Sequence, residues 1–171
     1  IYVVTAEQAK EIVAEQLAQL PLGNILSAPS RKNTAPCVAY VSYKLRQLNP
    51  EAHLIVAPAD HVILQPEAFK YVCEKALHFT AHIKGLVTLG IKPNHPNTGY
   101  GYIQYEQQSV SENVYKVKTF TEKPDKELAQ TFLLSGDFLW NAGIFVWQVK
   151  NIIAAFERFL PEMHDVFDAE K

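Results

Sequence analysis

Asp60 stands just beyond an unbroken apolar run, His53-Leu54-Ile55-Val56-Ala57, with only Pro58 and Ala59 between. A carboxylate at the tip of a strand is a hard-oxygen ligand of the kind Mg²⁺ takes one or two at a time beside substrate phosphates. The same place suits a residue that caps the next turn, and position alone leaves both readings open. His61 reads as a ligand or an acid–base group, or as a loop histidine bonded to backbone. Ser30-Arg31-Lys32-Asn33-Thr34 puts two cations among hydrogen-bonding side chains at a helix start, where N–H groups already favour anions. That suits a phosphate or a base edge, and equally a solvated loop with a cap. Thr98-Gly99-Tyr100-Gly101-Tyr102 opens a strand after Pro93 and Pro96. Its glycines admit a ligand close to the backbone and its tyrosines offer sugar-sized faces, or else the segment is a bulge. Phe120-Thr121-Glu122-Lys123-Pro124 sets opposite charges side by side at a strand end. Strand neighbours point to opposite faces, so two separate contacts are expected rather than one ion pair. Asn141, between Trp140 and Gly143 in an apolar strand, needs a partner, either ligand or backbone.

These segments need elements to hold them. Ile1–Val4 reads as a strand, Ala6–Leu20 as a helix stopped by Pro21, and Asn24–Ser27 as a short strand. A helix beginning near Pro36 carries Val38, Val41, Leu45 and Leu48 inward. His53–Ala57 shows no alternation, which suits a strand covered on both faces and hence a parallel sheet. A helix over Phe69–Phe79 and a strand over Gly85–Ile91 continue the α/β rhythm. Then the pattern changes: Tyr100–Glu106 and Val114–Phe120 alternate and read as an antiparallel excursion. A helix over Leu128–Leu134, a strand over Phe138–Trp147 and helices over Val149–Phe159 and Glu162–Phe167 close the chain. The expected fold is α/β, a single three-layer domain over residues 1–171 around a wound, mostly parallel sheet. In such sheets ligands sit at the carboxyl ends of strands, where the segments above fall.

Composition narrows the classes of function. The chain has 171 residues, 48% apolar and 20% charged, an ordinary globular balance. Sixteen Lys and Arg against eighteen Asp and Glu give a net charge of −2, with no basic excess for nucleic acid. No apolar run reaches the roughly 18 residues a membrane helix needs. Cys37 and Cys73 are too few for a disulfide framework, so a reducing cytoplasm is expected. There is no Ser-His-Asp elbow, Walker loop or zinc cluster.

Taken in order, Arg31-Lys32-Asn33-Thr34-Ala35-Pro36, Ala57-Pro58-Ala59-Asp60-His61, Gly90-Ile91-Lys92-Pro93 through Tyr102, Glu122-Lys123-Pro124 and Trp140-Asn141-Ala142-Gly143 resemble the motif series of the mannose-1-phosphate guanylyltransferases. The resemblance implies a nucleotide-diphospho-sugar transferase fold. It also implies transfer of GMP from GTP to mannose 1-phosphate, with Mg²⁺ as cofactor. Under it, Asp60 holds Mg²⁺, Gly99 and Tyr100 lie along the sugar, and Glu122 and Asn141 bond it. Lys123 meets the sugar phosphate, and Arg31, Asn33 and Thr34 lie on the nucleotide side. Arg31-Lys32 stands where the family usually has two arginines, which keeps the charge and loses a bidentate fork. Ala28 stands where a Glu is common. Another base or sugar, or a non-catalytic nucleotide-sugar-binding domain, are the alternatives. The family begins with a strand and glycine-rich loop that precede Ile1, so the expectation is an internal fragment, inactive by itself. Its unpaired strand edge is expected to give either a homo-oligomer or a less stable chain.

Overall fold

The alternating apolar runs become seven strands and six helices in the computed structural model, which describes residues 1–28 and 34–169. In chain order they are β1 (Val3–Ala6), α1 (Lys10–Gln16), β2 (Ile25–Ala28), α2 (Thr34–Leu48), β3 (His53–Val56), α3 (Pro66–His82) and β4 (Val87–Ile91). There follow β5 (Tyr102–Ser111), β6 (Val114–Thr121), α4 (Lys126–Ser135), β7 (Phe138–Gln148), α5 (Val149–Phe159) and α6 (Pro161–Asp168). The chain forms two compact units, one of Ile1–His53 with the segment from Gln148 onward, the other of Leu54–Trp147.

In the first unit β1 and β2 pair in parallel, Val3 opposite Ile25 and Ala6 opposite Ala28. Val149, Ile152, Ile153 and Phe156 recur at helical spacing and are buried, the apolar stripe that holds α5 in place. Each such side chain contributes about 1.5–3 kcal/mol on burial. Pro36 is tolerated in the first turn of α2, where its missing N–H has no helical partner. The buried face of α2 is Val38, Ala39, Ser42, Tyr43 and Leu45, whereas Leu48, expected inside, is 67% exposed. Tyr43 takes the central place, stacked 5.8 Å from Phe167, with its hydroxyl 2.6 Å from His164 Nδ1. Arg46 bonds Asp168 at 2.7 Å one turn further on. Glu51 accepts from both Lys150 and Gln148, and the Lys150 ammonium holds its carboxyl below the usual range.

The second unit is built on a five-stranded sheet, β3-β7-β5-β6, with β4 also paired to β7. β7 runs antiparallel to β4 and β5, and β5 antiparallel to β6. The α/β class holds and the excursion falls where it was expected, as the β5–β6 hairpin. The parallel balance does not: β1–β2 is parallel, and these three pairings of the larger sheet are antiparallel. An apolar run without alternation reports burial rather than direction, and β7, distant in sequence, supplies the antiparallel partner of β4 and β5. Nor is β3 covered on both faces. It lies at the end of the sheet order, and Ile55 is 41% exposed. Asp125 caps α4 by accepting the Leu128 N–H at 2.8 Å, and Gly136, at φ 76°, ends it in the left-handed conformation. Ala129 of this helix forms a buried cluster with Tyr102, Phe138 and Trp140, and Phe132, also of the helix, packs against it.

Candidate functional site

Gly101 is where two candidate residues of the second unit, Glu122 and Asn141, meet. Its carbonyl accepts the Asn141 backbone N–H at 2.8 Å, tying the start of β5 to the middle of β7. A Cβ on Gly101 would stand 2.7 Å from Glu122 Oε2 and 3.1 Å from the Phe120 ring. The carboxylate of Glu122 therefore lies against bare backbone, a position that any other residue at 101 would contest.

Asn141 finds its partners in its own strand and the next. Thr88 lies opposite Phe145 and Gly90 opposite Asn141, so two steps along β4 match four along β7. The surplus residues bulge, and Gly143 takes up the bend at φ 67°. The bulge turns the Gly143 N–H onto Asn141 Oδ1 at 3.1 Å, and Thr88 Oγ1 reaches the same oxygen at 3.1 Å. A Cβ on Gly143 would lie 3.4 Å from Pro58 Cγ, so the bulge also borders the loop that carries Asp60.

Gly99 and Tyr100 belong to a loop braced by its own side chains. The Gly99 N–H donates to Asn97 Oδ1 at 2.7 Å, which leaves the Asn97 amide nitrogen to donate to His95 Nε2 at 3.2 Å. His95 Nδ1 then carries the proton and donates to Asn94 Oδ1 at 2.6 Å. The Asn97 N–H bonds the hydroxyl of buried Tyr102 at 3.0 Å. His95 and Tyr100 both pack on Trp140, with ring centroids 4.9 Å and 5.2 Å from it.

Glu122 and Lys123 do not part as strand alternation predicts. Lys123 has φ 42°, in the left-handed region, which breaks the alternation. Its Nζ comes to 3.9 Å from Glu122 Oε1, a loose ion pair in which both side chains stay more than 60% exposed. Pro124 is buried behind them and Asp125 begins α4, so the pair sits on a braced corner.

Asp60 is 87% exposed in the loop after β3, and its nearest ionic partner is His61 Nε2 at 3.9 Å. No cluster of three or more His, Cys, Asp or Glu able to hold a metal ion occurs among the described residues. Thr34 is the exposed first residue of α2, in the other unit. Arg31 and Asn33 lie outside the described residues.

The profile of the nucleotidyl transferase family matches residues 1–170. The chain belongs to that family. This nucleotidyl transferase chain is 36% identical over 170 residues to a mannose-1-phosphate guanylyltransferase of Escherichia coli K12, covering 95% of the chain and 35% of that protein. It is 41% identical over 158 residues to a mannose-1-phosphate guanylyltransferase of Salmonella montevideo, covering 88% and 33%. The nucleotidyl transferase chain thus spans about a third of the length of these relatives. Among solved structures it resembles one described as a mannose-1-phosphate geranyltransferase from Thermus thermophilus, with TM-score 0.82 and 25% identity over 97% of this chain and 47% of that one. It also resembles one described as a mannose-6-phosphate isomerase from Helicobacter pylori, with TM-score 0.81 and 28% identity over 98% and 62%.

Reading the sequence alone passed over Thr88, His95 and Asn97, and gave Gly101 no role of its own. Thr88 carries no local signal, because it meets Asn141 only through the bulged register of β7. His95-Pro96-Asn97 did carry one: polar side chains in a proline-punctuated loop commonly bond their own backbone.

Proposed function

We propose that the chain carries the sugar-phosphate side of a mannose-1-phosphate guanylyltransferase site. In that reaction a phosphate oxygen of mannose 1-phosphate attacks the α-phosphorus of GTP. A new P–O bond forms, the bond to the leaving pyrophosphate breaks, and GDP-mannose and pyrophosphate are released. The observation that carries the reading is the convergence on Gly101, with Glu122 against it on one side and Asn141 bonded to it on the other. The carboxylate accepts hydrogen bonds from sugar hydroxyls, the amide donates to a sugar oxygen, and Lys123 beside them supplies a cation for the phosphate. Tyr100 and Gly99 border the sugar, the one offering a ring face and the other close approach to backbone. These residues bind and align the acceptor phosphate, and alignment with charge neutralisation is most of what phosphoryl transfer needs.

Arg31, Asn33 and Thr34 take the nucleotide side, and their types suit phosphate or a base edge. An exposed single carboxylate at Asp60 fits Mg²⁺, which takes one or two carboxylates and completes its shell with phosphate oxygens and water. Bound there, the ion would neutralise phosphate charge between nucleotide and sugar phosphate. A cytoplasmic location accords with a chain of two cysteines, too few for a disulfide framework. Among the described residues no helix is long and apolar enough to cross a membrane.

Substitution of Glu122 or Asn141 by Ala in the guanylyltransferase tests the reading. The KM for mannose 1-phosphate is expected to rise roughly 5- to 150-fold with that for GTP little changed, the range for losing one buried polar contact. A rise confined to GTP would show that the two halves of the site are reversed.

A further inference from the structure

Asn141 carries both an acceptor and a donor on one amide, and which end meets a ligand depends on what holds the other. The Gly143 N–H faces one end at 3.1 Å, and an N–H can only donate, so that end is the oxygen. Thr88 Oγ1 has two neighbours, Asn141 Oδ1 at 3.1 Å and the Ile144 carbonyl at 3.3 Å. Both are acceptors, so the hydroxyl's single proton is shared between them, with Oδ1 the nearer, and Thr88 acts here as a donor. Two donors on Oδ1 occupy its two lone pairs. The NH₂ is then the only end left, and among the described residues it has no hydrogen-bond partner.

We infer that Thr88 is a positioning residue that fixes the polarity of Asn141, so that this point of the site presents N–H donors and selects a ligand oxygen with free lone pairs. Glu122, an acceptor, lies on the other side of Gly101. The two residues therefore make opposite demands: one ligand oxygen must accept and another must donate. A site of this polarity takes a polyhydroxylated ligand in one orientation and disfavours the flipped one. Without the Thr88 hydroxyl the amide oxygen keeps a single donor, and rotation that offers oxygen to the ligand becomes easier. The inference rests on the reading of Asn141 as a sugar contact, and its consequences fall on sugar-phosphate binding alone.

The test uses the full guanylyltransferase, with KM and kcat measured for mannose 1-phosphate and GTP in Thr88→Val, Thr88→Ser, Asn141→Ala and the Thr88→Val/Asn141→Ala double variant. Thr88→Val is expected to raise the KM for mannose 1-phosphate about tenfold and to leave that for GTP unchanged, the effect of one lost hydrogen bond. Thr88→Ser restores the hydroxyl and is expected to stay within about twofold of the parent. In the Asn141→Ala background Thr88→Val is expected to add nothing, since no amide remains to orient. A Thr88→Val effect equal on both substrates, or a Thr88→Ser variant as impaired as Thr88→Val, overturns the inference. So does an unchanged Thr88→Val beside an impaired Asn141→Ala, while the sugar-contact reading survives. If Asn141→Ala itself spares mannose 1-phosphate, the underlying reading fails and takes the inference with it. Should Thr88→Val not fold, Thr88→Ala carries the same comparison against Thr88→Ser.

Discussion

The Gly101 carbonyl receives the Asn141 N–H at 2.8 Å while the absent Cβ of the same glycine leaves room for Glu122 Oε2. One residue thus sets the spacing between Glu122, just past β6, and Asn141 of β7. Gly101→Ala is expected to push the carboxylate aside and crowd the Phe120 ring. The Glu122 terminus is flexible and yields easily, so the stability cost stays at about 1–3 kcal/mol. Binding of mannose 1-phosphate is expected to weaken about tenfold or more, as read by calorimetric titration. Unchanged affinity would mean that Glu122 is not held where the ligand needs it.

Asp60→Asn is expected to lower Mg²⁺-dependent formation of GDP-mannose by about two orders of magnitude or more, because a neutral amide is a poor Mg²⁺ ligand. Its side chain is 87% exposed, so the melting temperature is expected to stay put. Turnover near the parent value at saturating Mg²⁺ would remove Asp60 from the metal site.

Lys123 holds a left-handed backbone at φ 42°, which costs a side-chain-bearing residue about 1–2 kcal/mol. Lys123→Gly relieves that and gives back roughly 0.5–1 kcal/mol in chain entropy. It is therefore expected to melt at or slightly above the parent temperature, and above Lys123→Ala, which keeps the strain. Both variants are expected to raise the KM for mannose 1-phosphate together, since both lose the cation. Calorimetric melting beside kinetics separates the two effects, and a spared KM would exclude Lys123 from phosphate binding.

Burial pushes the Tyr43 phenol above its usual 10.0, with Asp168 and other nearby carboxylates adding to the rise and Arg46 opposing it. The unfolded chain then loses this proton more readily than the folded one. The stabilisation is complete below the unfolded value and is lost as pH climbs toward the raised folded value. Unfolding free energy is expected to fall as pH rises past about 10.0, less steeply in Tyr43→Phe, which has no proton to lose there. Parallel curves for the two proteins would refute the assignment.

The candidate segments legible in the sequence were those whose chemistry is local. Glu122-Lys123-Pro124 and Trp140-Asn141-Ala142-Gly143 each stand out as polar residues where a strand calls for apolar ones, and both reach the convergence at Gly101. Relations across strands were not legible. The bulge that lets Thr88 meet Asn141 depends on the register of two distant segments, and no spacing along the chain encodes it. The antiparallel insertion of β7 beside β4 escaped for the same reason. Leu48 shows the limit of helical periodicity: it continues the stripe of α2 but falls past the last packed turn, whereas Tyr43, polar at its tip, lies at the centre.

Trp140 has a further use that follows from its neighbours. Its indole is buried with His95 and Tyr100 packed on it, both carried by the loop that holds Gly99. An excited indole loses light to the groups against it, in proportion to how closely they pack. The second tryptophan, Trp147, stacks 5.6 Å from Phe145 within its own strand. In a Trp147→Phe protein, indole emission would come from Trp140 alone. That protein would then report, unlabelled and in real time, any change in how this loop packs on Trp140.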